Sequence, residues 1–197
     1  MNAGRIILFA AVGVVLIGAA VWLLRLLLRQ NTTAPKVQPK EETTGEILVA
    51  PLNGIAVPLE QVRDEVFSAG VLGSGMAIIP TNGELYAPAD GVIANIPESR
   101  HAIAMTADSG IELLMHVGID TVNLKGEPFT LHVKTGDRVR RGQPLMSFAL
   151  DKIKEAGYDP VTPVILTESD GWTVTSVKGE IRAGDVLMSL EKKNEQK

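Results

Sequence analysis

From about residue 45 onward, short apolar runs alternate with turn residues at a spacing too tight for long helices. Apolar runs at Met76–Ile79, Gly91–Ile96, His101–Ala107, Ile111–Val117, Leu145–Leu150, Val161–Thr167 and Val186–Leu190 predict strands, because each is four to eight residues long and bounded by Gly, Pro, Asn, Asp or Ser. Asp151–Gly157 is the one short stretch with helical character, and Gly157 is placed to end it. Two internal repeats are visible. Leu48-Val-Ala-Pro51-Leu-Asn-Gly54-Ile recurs as Leu85-Tyr-Ala-Pro88-Ala-Asp-Gly91-Val, and Arg140-Arg-Gly142-Gln-Pro-Leu145-Met-Ser147 recurs as Arg182-Ala-Gly184-Asp-Val-Leu187-Met-Ser189. Each copy of the first reads as strand, Pro-started turn and returning strand. Two copies are too few for a solenoid. The pattern therefore predicts an all-β domain, an antiparallel β-sandwich or barrel with an internal pseudo-repeat.

The first residues follow a different pattern. Ile6–Leu24 is an uncharged run of 19 residues, followed by Arg25 and Arg29. A helix of that length matches a hydrocarbon core about 30 Å thick. The run is long for a signal peptide, and arginines stand where a small-residue cleavage site belongs. Residues 1–29 therefore read as an N-terminal transmembrane helix and membrane anchor. Arg25, Arg29, Lys36 and Lys40 outweigh Arg5, and this bias places the C-terminal domain in the cytoplasm. Residues 30–44, rich in Thr, Pro, Lys and Glu, read as a flexible linker. The domain then spans 45–190, and 191–197 form a charged C-terminal tail.

Composition narrows the chemistry. The chain has no cysteine, which removes disulfides and thiol catalysis. A net charge of −4 argues against nucleic acid as a partner. Two of the three histidines stand close in sequence. His116 ends an apolar run before a glycine, and His101 lies fifteen residues upstream. If the runs around Asp108-Ser109-Gly110 form a hairpin, Ala107 faces Ile111 and residues whose numbers sum to 218 face each other. His101 then stands opposite Val117, beside His116. An imidazole among apolar neighbours is partly desolvated, which favours its neutral, nucleophilic form. With a second imidazole and N–H donors nearby, it can accept and pass on a phosphoryl group, a reaction governed by positioning and charge stabilisation. In that scheme His116 is the acceptor, His101 stabilises the transferring group, and Ser99, two residues before His101, adds a hydroxyl. The backbone N–H groups of Gly118-Ile-Asp120 are expected to cradle phosphoryl oxygens. Asp120 is expected to cap the turn, and His132 reads as an ordinary residue.

The run Gly110-Ile-Glu-Leu113-Leu114-Met115-His116-Val117-Gly118-Ile119-Asp-Thr121-Val122 resembles the phosphorylation-site signature of the glucose-type IIA component (EIIA type 1) of the bacterial phosphoenolpyruvate-dependent sugar phosphotransferase system. Every fixed position of the signature is filled. The resemblance extends from about Gly45 to Leu190 through Ala87-Pro-Ala-Asp-Gly91, the Val139–Gly142 turn and Thr162-Pro163-Val164. It implies a fold of the duplicated hybrid motif type and a phosphohistidine intermediate on His116, assisted by His101, with no required cofactor. It carries threonine where this chain has Ser99. Its implied partners are the phosphocarrier protein HPr upstream and a IIB domain of a separate sugar permease downstream. They would dock on an apolar patch that maps to Val66, Phe67, Val71, Leu72, Ile103, Leu114, Met115 and Val117. The chain departs from the pattern at Pro97, where an aromatic is usual, and at Arg100, where a small polar residue is usual. The resemblance also leaves room for a regulatory zinc on His101 and His116, completed by a partner's carboxylate. Two other readings stand beside the carrier. One is a regulatory binding module switched by phosphorylation. The other is a zinc-dependent hydrolase on a similar β scaffold.

Overall fold

The structure, a computed structural model, describes residues 45–193. The expected membrane helix and linker, residues 1–44, lie outside the described residues, and among those described no helix is long and apolar enough to cross a membrane. In chain order the strands are β1 (Gly45–Val49), β2 (Gly54–Pro58), β3 (Ser74–Pro80), β4 (Glu84–Tyr86), β5 (Gly91–Asn95), β6 (Ala102–Ala107) and β7 (Glu112–His116). They continue as β8 (Phe129–Leu131), β9 (Arg138–Val139), β10 (Pro144–Phe148), β11 (Thr162–Leu166), β12 (Trp172–Ser176), β13 (Gly179–Ile181) and β14 (Val186–Lys192). Two short helices, α1 (Glu65–Ser68) and α2 (Leu150–Glu155), complete the described residues together with two 3-10 turns. Each strand expected from the apolar pattern is present. Strand β14 runs through Lys192, so the start of the expected tail belongs to the sheet.

All strand pairings are antiparallel. They form three sheets rather than one closed barrel: β1-β14-β12, β4-β10-β8, and an eight-stranded sheet ordered β13-β2-β3-β11-β7-β6-β5-β9. Turns punctuate the chain every few residues, so no strand is long enough to wrap. The main core contains Leu48, Ile78, Ile103, Met115, Met146 and Met188, contributed by all three sheets. A second, smaller cluster covers the other face of the large sheet, where Leu59, Val62 and Phe67 close over Ala77, Ala102, Leu114 and Ile165. The central strands are therefore buried on both faces, which explains their near-continuous apolar sequences.

The internal repeats hydrogen-bond to each other with approximate two-fold reciprocity. Val49 N–H donates to Pro88 O (3.0 Å) and Tyr86 N–H to Pro51 O (2.8 Å). Gly142 N–H donates to Ala87 O (2.8 Å) and Gly184 N–H to Ala50 O (3.0 Å). The side chains repeat as well: Asp90 Oδ1 accepts from Arg141 N–H, and Asn53 Oδ1 accepts from Ala183 N–H. Two equivalent glycines make this possible. A Cβ on Gly54 would lie 2.1 Å from Ile79 O, and one on Gly91 2.3 Å from Thr106 O, so only glycine lets the returning strand approach so closely.

Candidate functional site

The hairpin β6–β7 has the register that the sequence predicts. Ala102 pairs with His116, Ile103 with Met115 and Ala104 with Leu114, and Val117 N–H donates to His101 O (2.8 Å). The Asp108-Ser109-Gly110 turn fixes this register, with Gly110 at φ 87°. On the other side of β7, the ladder to β11 covers Val164–Leu166 and stops short of Pro163, which has no N–H to donate. The His116 end of β7 is thereby released from one neighbour, and the ring stands half-buried at the margin of the sheet.

Both imidazoles meet there. The ring centroids of His101 and His116 are 4.6 Å apart in an edge-to-face arrangement. Phe67 also lies against His116, at 5.1 Å between centroids. Phe67 is held by α1, whose first turn is capped by Asp64: its Oδ1 accepts from Val66 N–H (2.9 Å) and Phe67 N–H (3.1 Å). His116 Nδ1 donates to Gly118 O (2.8 Å), because a carbonyl can only accept. The neutral ring then carries its lone pair on Nε2. The turn that supplies this carbonyl is tight. Thr121, fully buried, donates its hydroxyl back to Val117 O, and Gly118 at φ 74° sits so close that a Cβ would lie 2.5 Å from Thr121 Cγ2. His101 Nδ1 is 2.7 Å from Ser99 Oγ, so the hydroxyl expected at the site is present and engaged.

Burial lowers the pKa of both rings. His101 falls from 6.5 to about 4, through desolvation first and the neighbouring His116 second. His116 is also lowered, mainly by desolvation, although its bond to Gly118 and the charges of Asp64 and Asp120 act in the opposite direction. Both rings are neutral near pH 7. The cluster thus pairs an unprotonated ring nitrogen with a second neutral imidazole in a partly apolar setting.

Three expectations require correction. Ile103, Met115 and Val117 are completely buried in the main core; the side of the hairpin facing that core cannot touch a docked protein, so these three are not part of a surface patch. Of the other patch residues, Val71 is exposed, Val66 and Leu72 are half-buried, and Phe67 and Leu114 are buried at the edge of the second cluster. The Gly118–Asp120 cradle is incomplete, because the Ile119 N–H is taken by Asp159 O (2.8 Å). Asp120 makes no side-chain capping bond; it acts on His116 through its charge. His132 lies just past the end of β8, its Nε2 2.6 Å from Ser147 Oγ, with the Ser147 hydroxyl donating to Glu84 (3.0 Å). Among the described residues, no group of three or more His, Cys, Asp or Glu could hold a metal ion, so the hydrolase reading lacks a complete ligand set there. Thr121, a fixed position of the signature, gains its structural role here, whereas Asp64 has no role in the sequence reading; its place three residues before Phe67, ahead of an apolar segment, is the helix-start signal that points to it.

Comparisons with known proteins converge on one family. Residues 46–172 match the family described as phosphoenolpyruvate-dependent sugar phosphotransferase system, EIIA 1. The chain is 43% identical over 152 residues to the glucose-specific EIIA component of Oceanobacillus iheyensis, with 75% of this chain and 88% of that one covered. It is 46% identical over 151 residues to the β-glucoside-specific EIIBCA component of Bacillus subtilis, covering 76% of this chain and 25% of the relative. The chain thus spans about a quarter of that larger relative's length. The solved glucose permease IIA of Mycoplasma capricolum superimposes with a TM-score of 0.71 at 31% identity, over 77% of this chain and 99% of that one.

Proposed function

The chain belongs to the EIIA 1 family of the phosphoenolpyruvate-dependent sugar phosphotransferase system and carries phosphoryl groups within it, and from that premise we propose that Nε2 of His116 is the atom phosphorylated. The observation that carries this reading is the 2.8 Å bond from Nδ1 to Gly118 O, which leaves Nε2 as the free lone pair. Nε2 attacks the phosphorus of a donor phosphohistidine; the donor N–P bond breaks as the Nε2–P bond forms. The positive charge that develops on the ring is shared with Nδ1–H, which the Gly118 carbonyl and the carboxylates of Asp64 and Asp120 favour. When the Ser99 hydroxyl donates to His101 Nδ1, the His101 Nε2–H is free to donate to a phosphoryl oxygen, and the two rings are already close enough for that bond.

The donor is HPr and the acceptor a IIB domain of a sugar permease. Both dock against Val66, Val71, Leu72 and the edge of Leu114, with His116 at the centre. Residues 1–29 anchor the domain to the cell membrane with the domain in the cytoplasm, and the linker keeps it near the permease at raised effective concentration. A regulatory zinc on His101 and His116, completed by a partner's carboxylate, would take the same ring nitrogens as the phosphoryl group, so the two states exclude each other. The test is incubation with phosphoenolpyruvate, the general phosphotransferase enzyme and HPr. The expected product is an acid-labile, base-stable phosphate on His116 that His116→Ala abolishes. His101→Gln is expected to accept label and fail to pass it on. Label on any other residue overturns the assignment.

A further inference from the structure

The hairpin's register makes His101 and His116 neighbours, as the sequence predicts, but in a regular strand it would set their side chains on opposite faces. His101 stands opposite Val117, bonded to it through its carbonyl, while His116 pairs with Ala102. Side chains of successive strand residues point to opposite faces. In a regular strand His101 would therefore share the face of Val117, the main core, and turn away from His116. Instead the rings are 4.6 Å apart.

The departure starts one residue earlier. Strand β6 begins only at Ala102, and Arg100, just before His101, has φ 54°. Among the described residues the non-glycine positions with positive φ are Arg100, Asp120 and Lys125, and all three lie in the two loops that flank the histidine pair. Arginine has no short polar side chain to ease it into this conformation, which is unfavourable for an L-residue with a Cβ. Strain of this kind persists where surrounding structure holds it. Here the holding contacts are visible. Arg100 N–H closes a turn onto Pro97 O (2.8 Å). The arginine side chain itself is exposed, and a Cβ added at the nearby Gly126 would sit in ordinary contact with it, 3.6 Å from Cδ and Nε, so the turn rather than side-chain packing holds the backbone. The Ser99–His101 bond lies within this turn and fixes the ring once the backbone has rotated.

We infer that Arg100 is a positioning residue: its left-handed backbone, held by the turn onto Pro97 O, turns His101 from the core face of the hairpin onto the face of His116. The functional consequence rests on the reading of His101 as the residue needed for onward transfer. The test uses the full chain, labelled with 13C-histidine, carrying Arg100→Val, Arg100→Gly, His101→Gln or His101→Gln with Arg100→Val. Valine is β-branched and resists positive φ, whereas glycine adopts it freely. Arg100→Val is expected to lose the nuclear Overhauser contact between the two rings and to slow onward transfer about tenfold or more, with labelling of His116 by the donor changed less than about threefold. Arg100→Gly should keep the contact and stay within about threefold of the parent in transfer. Adding Arg100→Val to His101→Gln should produce no further loss in the rate at which His116 accepts label from the donor.

The inference is overturned if Arg100→Val keeps the ring contact, if it slows label acceptance by His101→Gln further, or if Arg100→Gly is as damaging as Arg100→Val. Should Arg100→Val fail to fold, Arg100→Ala replaces it, with the same contact and transfer readings deciding. Should His101→Gln transfer normally, the role given to His101 fails, and the ring contact in Arg100→Val still decides the positioning on its own.

Discussion

Lowering the pH should barely protonate this histidine pair until the solution is well below the range where free imidazoles titrate. An imidazole of ordinary pKa, about 6.5, is roughly nine-tenths charged at pH 5.5. His101, lowered to about 4 by burial and by its neighbour, remains mostly neutral there. The corresponding penalty for charging it is at most about 3 kcal/mol, and less once screening at its exposed edge is counted. His116 is lowered in the same direction, by burial first, so its Nε2 takes up a proton at a lower pH than a free imidazole. The assay is a titration of the two Cε1–H signals from pH 8 to 4, assigned with His101→Gln and His116→Gln, run beside the rate of phosphate acceptance at each pH. The expected result is a midpoint for each ring below 6.5, with that of His101 near 4, and a rate of phosphate acceptance that declines at lower pH than the titration of a free imidazole. The unfolded chain binds protons near 6.5 and the folded one only near 4, so this group's stabilising contribution is complete above about pH 6.5 and is lost as the pH falls toward about 4. Midpoints at or above 6.5 for both rings would refute the argument that desolvation dominates this site.

Gly54→Ala and Gly91→Ala each drive a methyl into a facing carbonyl at 2.1 and 2.3 Å. Each should cost about 2–3 kcal/mol and lower Tm by roughly 5–10 °C in calorimetry. Thr121→Val removes the hydroxyl that satisfies Val117 O and should cost about 1–3 kcal/mol in urea unfolding; a change within about 0.5 kcal/mol would show that the turn is held by other contacts. Asp64→Ala removes the cap of α1, with an expected loss of about 1 kcal/mol. It should also slow phosphate acceptance without abolishing it, because Phe67 is then held less firmly against His116, and stopped-flow labelling with HPr measures this.

Much of the molecule follows from local sequence. The strands at Met76–Ile79 and Ile111–Val117 are set by apolar runs between turn residues. The β6–β7 register follows from the Asp108-Ser109-Gly110 turn, since a hairpin's pairing is decided by its own loop. The repeats around Pro51 and Pro88 announce the reciprocal bonds between Val49 and Pro88 and between Tyr86 and Pro51. Tertiary structure decided the rest. A single apolar run cannot report whether one face or both will be covered, and here both are, which takes Ile103, Met115 and Val117 into the core. The cover over His116 comes from Asp64 and Phe67, about fifty residues away, and the close of the turn after it from Thr121 and Asp159. The meeting of the two rings depends on the left-handed backbone at Arg100. Periodicity encodes which side chains share a face, and hydrogen bonds within a turn encode register. Which distant segment lies on that face is decided only when the whole chain packs, because the contacts responsible join residues with no local relation.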